Sequence, residues 1–207
     1  RTMLTTGNWL DISVKNEVIS EKPILSYWFC TASAWLFGLN EFALRLPTIL
    51  AGILIALLTC FICGRMYGDS SGFLSGYIVS TMIFFVYISH EVSIDALLTL
   101  FYLITMIFLY VGYFEHNRAN WKIYLFYIFL AISVMLKGPV AILLVGLTGL
   151  FLIIKKRNPK IIWEIKPISG IIIIIILASP WFIYESMHAK FAYDFFVNQN
   201  ITRFTGI

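Results

Sequence analysis

The sequence predicts an all-α integral membrane protein, a bundle of several membrane-spanning helices, from its composition, its apolar windows and the placement of its charges. Hydrophobic residues make up 60% and charged residues 13% of the 207 positions, whereas soluble domains average about 25% charged residues. The mean hydropathy is +0.87. Most basic residues stand in short loops between apolar windows, so the net charge of +4 indicates topology, and nucleic acid is not an expected partner.

The first 46 residues are predicted to form a loop outside the membrane with one helix lying on its surface. Residues 1–20 carry Asp11, Lys15 and Glu17 and are too polar to span. Residues 24–38 are apolar but short for a span, with tryptophans at helical spacing, and tryptophan favours the headgroup level of a bilayer. An amphipathic interfacial helix therefore fits this stretch better than a transmembrane one.

Residues 47–184 are predicted to form a bundle of about six transmembrane helices, because apolar windows approach the 20 residues that cross about 30 Å of hydrocarbon. The second window is short, and Gly76 could interrupt it. Lys137-Gly138-Pro139 separates the fourth and fifth windows as a tight helical hairpin, since glycine can end one helix and proline can open the next. The predicted spans are residues 47–63, 73–88, 96–114, 123–136, 140–154 and 168–184.

Lys and Arg residues concentrate in alternate loops and so predict the orientation. One side carries Arg65, Arg118, Lys122, Lys155, Lys156, Arg157, Lys160 and Lys166. That side is therefore assigned to the cytoplasm. The first loop, Asp95, Lys137 and the tail at residues 185–207 then share the external face. This convergence of polar features on one side is the strongest functional signal in the sequence.

Charged residues on that face suit transfer from a lipid-linked phosphate donor. Such chemistry needs a cation or metal for the departing phosphate and a carboxylate for the acceptor proton. Glu21, Lys22, Lys137 and Arg203 are all predicted at headgroup depth. A lysine without a partner at the membrane edge is costly unless it meets an anion or water, so Lys137 is predicted to contact phosphate, with snorkelling to the surface as the alternative.

Other polar residues have plainer interpretations. Asp95 could cap its own helix, with Ser93 as the competing cap, and Tyr27 could be an interfacial anchor before it is a platform for a sugar. The three cysteines lack the flanking ligands of a zinc or redox site. The three histidines show no metal-ligand spacing and are read as ordinary loop residues.

Several stretches, in order, resemble the protein mannosyltransferase-like glycosyltransferases, and within that group the bacterial aminoarabinose transferases that modify lipid A. They are residues 1–10, 21–28, 37–41 and 45–47, then Lys137-Gly138-Pro139, Pro180-Trp181-Phe182 and the F-F-x-x-x-N-x-x-R-F motif at 195–204. The resemblance implies a GT-C fold of which this chain is the N-terminal portion. It also implies an undecaprenyl-phosphate sugar donor, inverting transfer to lipid A, protein or glycan, and a site facing the periplasm from the bacterial inner membrane.

The resemblance also implies roles for single residues. Glu21 matches a loop glutamate that helps hold a divalent metal, Lys22 the adjacent lysine near the donor phosphate, and these two are the catalytic candidates. The candidates for binding donor phosphate or sugar are Tyr27, Asp95, Lys137, Asn200 and Arg203. No organic cofactor is implied. The family's catalytic aspartate is expected upstream of Arg1, and Gln199-Asn200 replaces a Glu-His pair, which weakens the metal site.

Two other functions remain open from the sequence. A transporter or flippase of lipid-linked sugars should carry charges or Gly/Pro breaks near the bilayer midplane, whereas the charges here lie at the ends of the predicted spans. A non-catalytic membrane subunit would fit if the upstream acidic residue were missing.

Overall fold

The computed structural model of the protein describes residues 1–11, 13–14, 17–18, 22–114, 120–157 and 161–188. Within them the chain is almost entirely helical. The helices are α1 Thr2–Thr6, α2 Leu25–Phe37, α3 Glu41–Tyr67, α4 Asp69–Thr81, α5 Ile83–His90, α6 Ile94–Tyr113, α7 Asn120–Lys137, α8 Pro139–Lys156, α9 Ile161–Glu164 and α10 Pro167–His188. Two strands of two residues each, β1 Ser13–Val14 and β2 Glu17–Val18, pair antiparallel in the first loop.

Four helices of the described chain are long and apolar enough to cross a membrane, namely α3, α6, α8 and α10. A fifth span results if α4 and α5 count as one, although they are bent by 63° at their junction. A membrane-spanning helical bundle is therefore confirmed, with four or five candidate spans in the described chain where about six were predicted. α7 covers the predicted fourth span as an 18-residue helix, and α10 runs on to His188, beyond the predicted span end at residue 184.

The break in the second span lies at Met82. The sequence had suggested a break at Gly76. Gly76 is buried against α3, where an added Cβ would come within 2.9 Å of the Cys60 Cβ. The Thr81 hydroxyl instead donates to the carbonyls of Tyr77 and Ile78, and such back-bonding competes with continued helix. Met82 then adopts an extended conformation, with φ −66° and ψ 116°.

α3 begins six residues earlier than the predicted span because Asn40 caps it. The Asn40 side chain accepts a 2.8 Å hydrogen bond from the backbone N–H of Ala43, which satisfies one of the donors left open at a helix start. Pro47 consequently lies inside α3. Pro47 lies past the first turn and cannot donate a hydrogen bond to the Ala43 carbonyl, yet α3 continues past it to Tyr67.

The core lies where α3, α6 and α7 meet, with α10 packed along α7. A column of stacked aromatic rings ties α2 into it: Phe29 stacks on Phe101 of α6, Phe101 on Phe129 of α7, and Phe129 on Phe108. Ring centroids in this column are 5.4 to 6.2 Å apart, the range in which aromatic pairs attract. The column fixes α2 against the bundle.

α2 buries small polar side chains and exposes the large apolar ones at its C-terminal end. Ser26, Thr31 and Ser33 are buried, whereas Trp35 is 71% and Leu36 66% exposed. The buried Thr31 hydroxyl is satisfied by the Met3 sulfur at 3.3 Å. A helix of this polarity suits an apolar environment on its outer side. That α2 lies at the membrane interface stays a prediction.

Candidate functional site

An ion pair between Asp95 and Lys137 is the centre of the candidate site. Asp95 lies in the first turn of α6 and Lys137 in the last turn of α7, and the Lys137 ammonium donates directly to the Asp95 Oδ1. The two residues are brought together because α6 and α7 are adjacent and antiparallel, which places the start of one beside the end of the other. The side chains remain 55% and 44% exposed, so ligands can reach both.

Local sequence fixes each partner of the pair. Ser93 is the N-cap of α6, where its hydroxyl accepts a 3.1 Å hydrogen bond from the Asp95 N–H. The Asp95 carboxylate is thereby left for Lys137 instead of capping the helix. Gly138 ends α7 with φ 71° and ψ −139°, a conformation that only glycine adopts readily. Pro139 then opens α8 at its first position.

The expectation that Lys137 has no protein partner is wrong, because Asp95 neutralises it. An ammonium has three donors, and Asp95 Oδ1 takes one of them. The helix dipoles also stabilise the pair, since a carboxylate is favoured at the start of α6 and an ammonium at the end of α7. The pair can therefore hold the ammonium in place while its remaining N–H groups face a second anion.

The first loop closes over the same end of the bundle. Met3, Ile24 and Trp181 form a small apolar cluster, against which Met135 of α7 packs, two residues from Lys137. The Trp181 indole N–H donates to the Leu10 carbonyl at 3.2 Å, and the Trp28 indole N–H donates to the Trp9 carbonyl at 2.7 Å. The first loop, the end of α7 and the end of α10 are thus held together.

Lys22 and Tyr27 lie at this end, on either side of a buried turn. Pro23 and Ile24 are fully buried and anchor the start of α2, while Lys22 just before them is exposed. Tyr27, one helical turn further on, is 37% exposed. Both side chains can therefore reach a ligand at the membrane edge.

Glu21, Asn200 and Arg203, the remaining predicted site residues, lie outside the described residues. The metal predicted at Glu21 is therefore a prediction that the structure does not address. Within the described ranges, no group of three His, Cys, Asp or Glu side chains is placed to hold a metal ion.

Two carboxylates near the site were missed from the sequence. Glu185, placed by the sequence in the external tail, is fully buried near the end of α10. Together with Asp11 of the first loop it acts electrostatically on the Tyr184 hydroxyl, and Asp11 also accepts a 2.6 Å hydrogen bond from the Asn8 side chain. A glutamate at the end of a span after Pro180-Trp181 was the available signal, because ionisable residues within spans are usually functional.

The dolichyl-phosphate-mannose-protein mannosyltransferase family model matches residues 21–184, which is most of the chain. The chain belongs to this family. The match includes the first-loop residues from Glu21, both partners of the Asp95–Lys137 pair, and α10 as far as Tyr184. The family resemblance read from separate motifs is therefore confirmed over a continuous stretch.

Bacterial relatives of this family member align over nearly its whole length. The chain is 27% identical over 210 residues to the undecaprenyl phosphate-alpha-4-amino-4-deoxy-L-arabinose arabinosyl transferase of Yersinia enterocolitica, covering 99% of the chain and 37% of the relative. It is 25% identical over 208 residues to an uncharacterized protein of Aquifex aeolicus, covering 98% of the chain and 40% of that relative. The chain thus spans about two fifths of the length of these relatives.

The fold matches solved structures of ArnT from Cupriavidus metallidurans. With ArnT bound to undecaprenyl phosphate the TM-score is 0.90 at 20% identity, over 97% of this chain and 38% of ArnT. With the apo state it is 0.87 at 21% identity, over 94% and 37%. The family member described here therefore has the predicted GT-C type of membrane bundle.

Proposed function

We propose that the chain forms the donor-phosphate end of a membrane glycosyltransferase. The enzyme would move a sugar from a polyprenyl phosphate, such as undecaprenyl phosphate, to lipid A, protein or glycan. The observation that carries the proposal is the Asp95–Lys137 pair, half-exposed at the end of the bundle that the first loop covers. Family membership, the arabinosyl transferase relatives and the fold of an ArnT bound to undecaprenyl phosphate support it.

The pair suits the departure of a phosphate. When the bond between the sugar's anomeric carbon and the phosphate oxygen breaks, negative charge gathers on that oxygen, and a fixed ammonium stabilises it. Lys137 supplies the charge and Asp95 holds the ammonium in position. Exposed Lys22 offers a second cation for the same phosphate.

The acceptor completes the reaction. Its oxygen bonds to the anomeric carbon from the face opposite the departing phosphate, which inverts the stereochemistry, and a carboxylate takes any acceptor proton. Glu21 is the candidate carboxylate in this chain. A divalent metal at Glu21 would further neutralise phosphate charge. The proposed step is carried by Lys137, which the structure pairs with Asp95.

Charge distribution supports an external location for this site. A helix of 20 residues is about 30 Å long, so Asp95 and Phe114 lie at opposite ends of α6 and of a bilayer's hydrocarbon core. The basic loops lie at the Phe114 end. By the positive-inside rule, the Asp95–Lys137 end would face the periplasm from the inner membrane of a bacterium.

The broken span formed by α4 and α5 is a feature that a transporter would share. Among the described residues, however, the break is lined by Met82, Ile83 and Phe84, which are apolar and 52 to 87% exposed. Apolar side chains of this kind would not coordinate a polar cargo. The structure therefore favours the transferase over the flippase.

Substitution of Lys137 tests the proposal. We expect Lys137→Gln in the full-length protein to lower sugar transfer about 100-fold or more, because the departing oxygen loses a fixed charge. Asp95→Asn should lower it less, since the ammonium stays but is no longer held. The measurement is transfer of radiolabelled sugar from a synthetic undecaprenyl-phosphate donor by membranes with matched protein content.

Lys155→Gln is the matched control, because Lys155 is an exposed lysine at the end of the bundle remote from Asp95. It should transfer at the wild-type rate. Full transfer by both Lys137→Gln and Asp95→Asn would contradict the proposal.

A further inference from the structure

A second cluster of cations lies at the other end of the bundle, around the turn between α6 and α7. Lys156, in the last turn of α8, holds its ammonium 5.8 Å from the ring centroid of Phe114. Lys166, just before α10, holds its ammonium 5.5 Å from the ring centroid of Tyr124. Lys122 of α7 lies against Gly112 of α6. We call Lys122, Lys156 and Lys166 the basic turn cluster.

Cations from α7, from α8 and from the residue before α10 are thus brought to the neighbouring ends of α6 and α7. Aromatic faces attract ammonium groups at these distances, so the rings hold Lys156 near the end of α6 and Lys166 near the start of α7. The two ammonium groups thereby have fewer positions to choose from, which lowers the entropic cost of binding an anion.

Backbone geometry singles out this region as well. Arg157 and Lys166 are the two non-glycine residues of the described chain with positive φ, at 50° and 54°. This conformation is unfavourable for side chains with a Cβ. Lys166 is followed by Pro167, which disfavours the right-handed helical conformation for it. Both strained residues are cations that flank the short helix α9.

The cluster lies at headgroup depth. Trp121 beside Lys122 is 58% exposed, and Trp163 shortly before Lys166 is 69% exposed. Exposed tryptophans of membrane proteins mark the interface with headgroups. Positive charge predominates at this end. The described residues there include two carboxylates, Asp69 and Glu164, and six cations: Arg65, Lys122, Lys155, Lys156, Arg157 and Lys166.

We infer that the basic turn cluster binds the phosphate headgroup of an anionic phospholipid, in the leaflet opposite the proposed active site. The inference does not depend on sugar transfer. The fit is one of charge and depth: a phosphodiester lies at the level of the exposed tryptophans, and two lysines are held beside it by aromatic rings. Basic sites between helices at the cytoplasmic side are typical of such binding.

Native mass spectrometry tests this binding. The purified full-length protein is mixed with equimolar phosphatidylglycerol and phosphatidylcholine, and retained lipid is counted. We expect wild type to retain mainly phosphatidylglycerol. Lys156→Gln and Lys166→Gln should each lower the ratio of retained phosphatidylglycerol to phosphatidylcholine about fivefold, since a lysine near an anionic headgroup contributes about 1 kcal/mol.

Arg65→Gln is the matched control, because it removes one charge from the same end of the bundle and lies on α3, outside the basic turn cluster. It should leave the ratio near the wild-type value. Tyr124→Leu keeps every charge but removes the ring under Lys166, so it should lower the ratio part of the way. Lys156 is exposed, so Lys156→Gln is expected to fold and carries the test if Lys166→Gln does not.

An equal drop in Arg65→Gln would show that a diffuse field attracts the lipid, and would overturn the inference. An unchanged ratio in Lys156→Gln would overturn it too.

Discussion

At Gly170 the backbone of α10 lies against the ring of Tyr127 on α7. A Cβ at position 170 would come within 2.0 Å of the Tyr127 Cε1 atom, much closer than van der Waals contact. Tyr127 is only 6% exposed and has little room to move. Small residues at such crossings let membrane helices approach closely, and this crossing holds α10 beside the helix that carries Lys137.

Gly170→Ala is expected to destabilise the protein by about 1–3 kcal/mol, the usual cost of overpacking a core. The control is Gly146→Ala on α8, where an added Cβ meets nothing within 4 Å and alanine favours helix over glycine. Thermal unfolding in detergent should show a lower midpoint for Gly170→Ala only. Equal midpoints for the two variants would show that the crossing is looser than described.

Among single residues, the sequence located both partners of the ion pair but not their pairing. Asp95 and Lys137 are 42 positions apart, and their contact depends on how α6 packs against α7. No local pattern contains that information. The burial of Glu185 was missed for the same reason, since it depends on what lies beside the end of α10.

At the scale of elements, the hairpin between α7 and α8 sets the position of Lys137 relative to Asp95. Gly138 leaves α7 with positive φ, and its N–H closes the last turn on the Val134 carbonyl at 2.7 Å. The direction of α8 and the position of the lysine just before it are therefore set by one residue.

Gly138→Ala should strain this turn by about 1–3 kcal/mol and displace Lys137 from Asp95. We expect sugar transfer to fall by at least tenfold while membrane insertion is unchanged. Pro139→Ala is the control, because alanine accepts the same helical conformation and loses only the rigidity of proline. If Gly138→Ala transfers as well as Pro139→Ala, the turn does not position the lysine.

The hairpin was predictable because glycine and proline carry their conformational preferences locally. The break at Met82 was not, since it arises from hydroxyls of Ser80 and Thr81 that bond back to α4, and such residues also occur within unbroken helices. Gly76 was the more obvious candidate for the break in the second span, but the helix does not break there. Its role is close packing against α3.

For the whole molecule, the two ends of the bundle have opposite character. One end carries Asp95, Lys137 and the first loop, and the other carries the basic turn cluster. Alternating apolar windows and loop charges were sufficient to predict this division, because each span reverses the direction of the chain. The packing of the first loop against α10 required the structure.

Cysteine labelling from outside the cell tests the division. With Cys30, Cys60, Cys63 and every other cysteine of the full-length protein replaced by alanine, Lys137→Cys should react with a membrane-impermeant maleimide. Lys156→Cys should react only after the membrane is opened. Lys22→Cys is the control for the outer face and should behave like Lys137→Cys. Reaction of Lys137→Cys and Lys156→Cys under the same condition would refute the assignment.

The distribution of exposed and buried side chains on α2 matters for the engineering of this protein. Its exposed Trp35 and Leu36 would be the first candidates for replacement by charged residues in a protocol meant to improve solubility, and its buried serines the first candidates for replacement by leucine. Both choices would be mistaken, because the rule that governs water-soluble helices is reversed here. Variants of α2 should keep apolar side chains on its exposed face and small side chains with hydroxyl groups on its buried face.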